Sequence, residues 1–360
     1  MKKILFVHDY PPLNGGGLAI YVNDLIAELK GKYSCKIITS RLKDSFTNNY
    51  EIKGYRNILF DENIITLILK LIKGIIISDL VVINFTFSFR TLSVISLIIT
   101  FIKKKNSILI LHTNNKHMDY VKGKGKQKNK FIKNILITIL RIISYNCKKI
   151  IVFNKKQKRE FDKLGFKNLI NLPMFVDESK YLENYQFALK TNKKKNIYYI
   201  GELSYLKCFD KFINNIKGMK YPYNIIVIGD GNLKKNIEKL MKKNERIMIY
   251  MTMGHKKLVK LLKDVYLLFF PSINDTWGRI VIECILSGVI IMANEIPIIE
   301  DLKIKNYINI KKIKNIDKAI NYINTKINYK NFITEPRNTV IKSNMRFKKE
   351  WINMINSLTN

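Results

Sequence analysis

Short runs of four to six largely apolar residues recur from end to end of this chain, and the stretches between them carry helical spacing. That alternation constrains the fold most, because strands separated by crossover helices pair in parallel and are covered on both faces. In the first half the strand candidates are Lys3–His8, Cys35–Thr39, Leu80–Asn84, Ser107–His112, Lys149–Phe153 and Asn168–Leu172. A second series follows at Asn196–Ile200, Asn224–Gly229, Ile247–Met251, Tyr266–Phe270 and Val289–Met292. The reading is an α/β protein of two Rossmann-like, doubly wound domains. Residues 1–177 make the first domain, 178–195 a linker ending in the lysine-rich stretch 190–195, and 196–338 the second domain. The remainder, 339–360, holds Phe347, Trp351, Ile352 and Ile355 at helical spacing and reads as a packed helix.

A length of 360 residues suffices for two cores, and a hydrophobic content of 47% supports them. Lys and Arg outnumber Asp and Glu by 64 to 28, a net charge of +36. Such a field attracts phosphorylated small molecules, anionic membranes or nucleic acid, without choosing among them. The lysines form no concentrated aromatic-basic module, which disfavours nucleic acid as a partner. Four cysteines, Cys35, Cys147, Cys208 and Cys284, lack paired spacing, so neither a disulfide framework nor a zinc site is expected and a reducing cytoplasm fits. His8 and Asp9 cut the first apolar run too short for a signal peptide, and Ile64–Ile77 and Leu92–Ile102 are too short to span a bilayer.

The chemistry concentrates at 271–288, Pro-Ser-Ile-Asn-Asp-Thr-Trp-Gly-Arg-Ile-Val-Ile-Glu-Cys-Ile-Leu-Ser-Gly. Pro271 stops a strand, and Gly278 to Leu286 makes a helix ended by Gly288. Asp275 then sits in the loop and Glu283, eight positions on, in the helix. Backbone N–H groups of Trp277, Gly278, Arg279 and Ile280 in the first turn would favour an anion such as a phosphate. The bland alternative makes Asp275 a helix cap and Glu283 a solvated residue.

Other strand exits carry weaker signals. Gly15, Gly16 and Gly17 follow the first strand and precede a helix with apolar Leu18, Val22, Leu25, Ile26 and Leu29. The loop either lets a ligand approach the backbone or is a simple turn, and it is neither a GxGxxG nor a GK[ST] phosphate loop. Gly201-Glu-Leu-Ser-Tyr-Leu-Lys-Cys-Phe-Asp210 leaves another strand and puts Lys207 at the expected crevice. Gly229-Asp-Gly231 reads as a turn or a ligand contact, and Tyr250-Met-Thr-Met-Gly-His255 as a loop around Met251. His112 ends its strand, as a structural or a site histidine.

Together these segments resemble the retaining glycosyltransferases of the GT-B fold, family four, the glycosyl transferases group 1. The pattern there is Pro-Ser, Glu, Phe-Gly and a second Glu eight residues on; here Asp275 stands for the first Glu and Trp277 for the Phe. The 201–210 segment is similar to Gly-Arg-Leu, a spacer, Lys-Gly and an acidic residue, with Glu202 replacing the arginine. Leu172-Pro-Met-Phe-Val-Asp177 resembles the Pro-Asn-Gly-Val-Asp that leads into the interdomain linker. The resemblance implies two domains facing across a cleft, with the last helix crossing back to the first. It implies Asp275 and His112 at the transferred sugar, Lys207 and the Gly15–Gly17 loop at the donor diphosphate, and Glu283 at the nucleotide ribose. Gly201 lies beside that site, and the base is held by backbone near Met251. A UDP- or GDP-sugar donor is expected, a glycan or lipid-linked glycan as acceptor, and no cofactor or metal.

Lys116–Lys130 carries six lysines and leads into the apolar helix Phe131-Ile-Lys-Asn-Ile-Leu-Ile-Thr-Ile-Leu-Arg-Ile-Ile. It is either a solvated loop before a core helix or a surface for anionic lipid centred on Lys122, Lys124, Lys126 and Lys128, which would hold a cytoplasmic protein at the inner membrane face. The rival to an enzyme is a non-catalytic subunit of the same fold that binds a glycan or partner, suggested by Glu202 and Asp275.

Overall fold

A computed structural model describes residues 1–8, 17–39, 58–59, 64–85, 91–112, 130–190, 196–220, 222–251, 253–273 and 275–359. The chain divides into two units, Met1–Phe175 with Phe347–Asn360, and Val176–Arg346.

The first unit runs β1 (Lys3–His8), α1 (Gly17–Leu29), β2 (Ser34–Thr39), β3 (Ile58–Leu59), α2 (Ile64–Ile77), β4 (Leu80–Phe85), α3 (Thr91–Ile102), β5 (Ser107–Leu111), α4 (Lys130–Ile143), β6 (Lys149–Val152), α5 (Lys155–Lys163) and β7 (Leu169–Asn171). Its strands form a parallel sheet in the order β3-β2-β1-β4-β5-β6-β7. Every residue of β4 is buried, as a parallel strand covered on both faces requires. Leu5, Val7, Ile83 and Leu109 meet Leu71, Ile75, Leu97 and Leu140 of the covering helices in one core.

The second unit continues with α6 (Leu182–Lys190), β8 (Asn196–Ile200), α7 (Phe209–Lys217), β9 (Asn224–Ile228), α8 (Lys234–Met241), β10 (Ile247–Tyr250), α9 (His255–Leu261), β11 (Leu267–Phe270), α10 (Arg279–Leu286), β12 (Ile290–Ala293), α11 (Pro297–Asp301), β13 (Ile308–Asn309), α12 (Ile316–Lys326) and α13 (Tyr329–Thr359). Its parallel sheet has the order β10-β9-β8-β11-β12-β13. Tyr199, Phe209, Phe212 and Phe269 stack through its core at centroid separations of 4.6 to 5.7 Å.

Two segments differ from the sequence reading. Most of the expected linker is structured: Asp177 caps a turn at Glu178–Tyr181, and α6 places Tyr185 and Ala188 in the second core. Tyr181, Tyr185 and Ala188 stand at helical spacing, which the polar residues between them obscure. The last helix begins at Tyr329 rather than Thr339, because Pro336 lies inside α13 where a proline ordinarily reads as a boundary. From Phe347 onward α13 belongs to the first unit, where the buried Trp351 donates to Pro173 O at 2.8 Å. Among the described residues no helix is long and apolar enough to cross a membrane.

Candidate active site

In the second sheet the winding reverses between β8 and β11, so the loops leaving their C-terminal ends diverge and leave a crevice. The loop after β8 is fastened to the loop after β9: Gly201 N–H donates to Ile228 O at 3.0 Å, Leu203 N–H to Asp230 O at 2.9 Å, and Leu233 N–H to Leu203 O at 2.9 Å. This approach explains Gly229, where a Cβ would stand 1.9 Å from Gly201 O. The loop ends in a turn at Tyr205–Lys207, after which Cys208 takes a left-handed φ of 54°.

Lys207 and Asp275 meet there. Lys207 Nζ lies 2.7 Å from Asp275 Oδ2, with 24% and 17% of the two side chains exposed. Both side chains are mostly buried yet still reached by solvent, so the pair is screened only in part. The other oxygen, Asp275 Oδ1, accepts from Gly278 N–H at 3.0 Å. Gly278 N–H is therefore not open to a ligand, contrary to the expectation from sequence, because the aspartate turns back onto its own loop. Gly278 itself has φ 76° and ψ 49°, and a Cβ there would meet Ile296 at 2.9 Å.

Glu283, one turn further along α10, is 2% exposed. Its Oε1 accepts from Arg279 Nε at 2.8 Å and lies 3.2 Å from His255 Nε2, which is also 3.2 Å from Tyr181 Oη. Burial pushes the Glu283 carboxyl up, but the His255 hydrogen bond and the Arg279 guanidinium outweigh it and hold the group below the ordinary carboxylate value. Trp277 is buried beside this helix, 2% exposed as a whole residue. His255 and Tyr181 are site residues that sequence reasoning missed. His255 follows Gly254 at the start of a helix behind a strand, a signal that points to backbone contacts alone; Tyr181 has no local signal.

Met251 is exposed, its sulfur 3.1 Å from Lys234 Nζ. Glu202 is exposed, and its carbonyl accepts the Tyr199 hydroxyl at 2.8 Å. Among the described residues no three His, Cys, Asp or Glu side chains gather as a metal site would need.

His112 belongs to the first unit. Its Nε2 lies 2.9 Å from Asn84 Oδ1, while Asn84 Nδ2 donates to Val7 O at 3.2 Å. That second bond fixes the amide, so His112 donates from Nε2. Burial, aided by nearby His8, holds its pKa well below the ordinary value of 6.5. His8, Asn84 and His112 stand at the C-terminal ends of β1, β4 and β5, around the reversal of the first sheet. Gly17 opens α1 and is exposed. Gly15, Gly16, Lys122, Lys124, Lys126 and Lys128 lie outside the described residues.

Residues 182–343 match the family described as glycosyl transferases group 1. The match spans 162 of the 360 residues, less than half of the chain. Lys207, Asp275, Glu283 and His255 all fall within it. The chain as a whole shares the GT-B fold with solved structures. Sucrose-phosphate synthase from Thermosynechococcus elongatus is 12% identical with a TM-score of 0.74, and 99% of each chain is covered. Anabaena HepE, solved with UDP-glucose, is 12% identical with a TM-score of 0.77, over 99% of this chain and 100% of that one. A mutant of S. aureus TarM, solved in complex with Fondaparinux, alpha-GlcNAc-glycerol and UDP, is 13% identical with a TM-score of 0.69 over 100% of both chains. No curated protein matches the sequence.

Proposed function

We propose that the chain is a retaining glycosyltransferase that moves a sugar from a UDP-sugar to a hydroxyl of a growing, lipid-linked glycan of the bacterial surface type. The observation that supports it is Lys207, a cation at the winding reversal of a unit that matches the group 1 glycosyltransferases, paired among the described residues with a partly exposed aspartate and beside the first turn of α10. The choice of UDP rests on HepE, solved with UDP-glucose, and TarM, solved with UDP; a GDP-sugar is the other donor to test.

In this reading the bond between the sugar's anomeric carbon and the β-phosphate oxygen breaks, and the electron pair leaves with UDP. The acceptor oxygen bonds to the same face, and its proton passes to the departing phosphate. Lys207 moves from Asp275 onto the diphosphate as charge develops there, the kind of stabilisation worth most in the transition state. Asp275, released from the lysine, turns an oxygen to the sugar hydroxyls. Glu283, with Arg279 and His255, shapes the ribose end. The reading calls on no metal, and it places the protein in the cytoplasm.

The test is UDP release from a panel of UDP- and GDP-sugars, with and without glycan acceptors, and proton NMR of the product's anomeric linkage. Release with an α-linked product from an α-linked donor supports the reading. Binding of a glycan with no donor turnover favours the non-catalytic alternative, for which the neutralised Lys207 is the motivating observation.

A further inference from the structure

The layer of helices over one face of the first sheet is apolar on its outside as well as its inside. Leu71 and Ile75 of α2, Leu97 of α3, and Ile137 and Leu140 of α4 are buried against the sheet. On the opposite side of α2, Leu69 is 60% exposed and Ile76 48%, with Lys73 between them on the same stripe. On α3, Ile98 is 41% and Ile102 66% exposed. On α4, Ile135, Ile139 and Ile142 are 43 to 55% exposed at i, i+4 and i+7. Because α3 packs against both α2 and α4, these stripes lie side by side. Neighbouring outward stripes of Leu and Ile are the reverse of what a water-facing layer carries.

The charges within these three helices have one sign. None of α2, α3 and α4 contains an acidic residue, whereas Lys73, Arg141 and the pair Lys103 and Lys104 that follows α3 are exposed cations. None of the three helices is long enough to cross a bilayer. Apolar stripes lying side by side, on helices that carry cations and no carboxylate, have the chemistry of a surface that sits in the headgroup region of an anionic bilayer, and the exposed Asp79 that follows α2 accepts from Lys3 N–H at 2.7 Å. We infer that the outer face of α2, α3 and α4 is a membrane-docking surface for anionic lipid, with the isoleucines and leucine inserted and the cations on the headgroups. None of its residues belongs to the donor site, so it does not depend on the transferase reading. It also places the contact on residues other than the lysine cluster 122–128.

The test is cosedimentation of the full chain with vesicles of phosphatidylcholine containing phosphatidylglycerol, and with phosphatidylcholine alone. The variants are L69Q/I102Q/I142Q and K73Q/K103Q/K104Q, each checked for an unchanged circular dichroism spectrum and thermal midpoint. All six side chains are exposed, so these substitutions leave the fold intact. Wild type should bind the anionic vesicles and bind phosphatidylcholine at least tenfold more weakly. The apolar triple variant should lose tenfold or more in partition at any salt concentration. The cationic triple variant should lose a similar factor at low salt and little at high salt, where screening has already removed that contribution. Wild type that fails to bind anionic vesicles overturns the inference, as does equal binding by wild type and the apolar variant. A dimer that the apolar variant dissociates, in protein that ignores vesicles, would assign the face to self-association and overturn it equally.

Discussion

Glu283 is the residue whose environment most limits what can be changed. It lies with Arg279 in the interior, so Glu283→Gln leaves a buried guanidinium without its carboxylate and should cost roughly 3–5 kcal/mol in urea unfolding, with donor absent. Its folded pKa lies below the ordinary 4.5, so its contribution to stability is complete above that value and is lost as pH falls toward the folded pKa. His112, also depressed, contributes a loss that starts higher, as pH falls below 6.5 and the unfolded state takes up a proton that the buried ring refuses. Stability against pH should therefore fall in two stages on the acid side; His112→Phe should remove the upper, Glu283→Gln should reduce the lower, to which Asp177 also contributes, and unchanged profiles would contradict both assignments. Asp275 separates two roles by a single atom. Asp275→Asn keeps an oxygen for Gly278 N–H but releases Lys207, so the fold should hold within about 1 kcal/mol, while donor affinity changes. Cys208 adds a backbone test: with φ at 54°, a β-branched valine is strained further than cysteine, so Cys208→Val should destabilise the fold more than Cys208→Gly.

At the level of elements, the crevice depends on one close backbone crossing. Gly229→Ala would drive a methyl into Gly201 O and push the 201–203 loop, and Lys207 with it, away from the sheet. Loss of stability above about 2 kcal/mol together with loss of donor binding is the expected outcome; normal binding by a folded variant would show that the loop's position is unimportant. The strands that carry this arrangement were legible because each is a buried apolar run closed by glycine, proline or a polar pair, as at Ile225–Gly229 and Phe270-Pro271. The two that were not, Ile58–Leu59 and Ile308–Asn309, are two-residue edge strands, too short for any periodicity to show. Helix α6 was hidden by its polar surface, and the start of α13 by Pro336. The residue types at the site could be read from strand exits. Their pairing could not, since Lys207 and Asp275 are 68 positions apart and His255 and Glu283 28 apart, and only the sheet order brings them together.

For the whole molecule, the same winding reversal occurs in both units, with His8, Asn84 and His112 around one and Lys207 and Asp275 around the other. The doubled α/β pattern was plain in the sequence, while the chain's return to the first unit at Phe347 depends on long-range packing of Trp351 with Tyr21, 5.7 Å between ring centroids, that no local pattern announces. The charge of +36 suits a polyanionic leaving group as well as an anionic surface, and the two uses separate by salt and by variant. The claim on which the functional account stands is that Lys207 exchanges Asp275 for a nucleotide diphosphate. Isothermal titration of UDP into the wild type and into Lys207→Ala tests it without knowledge of the acceptor or the sugar. The account predicts saturable one-to-one binding by the wild type and at least tenfold weaker binding by the variant, in protein of unchanged fold. Equal affinity in the two proteins would contradict it.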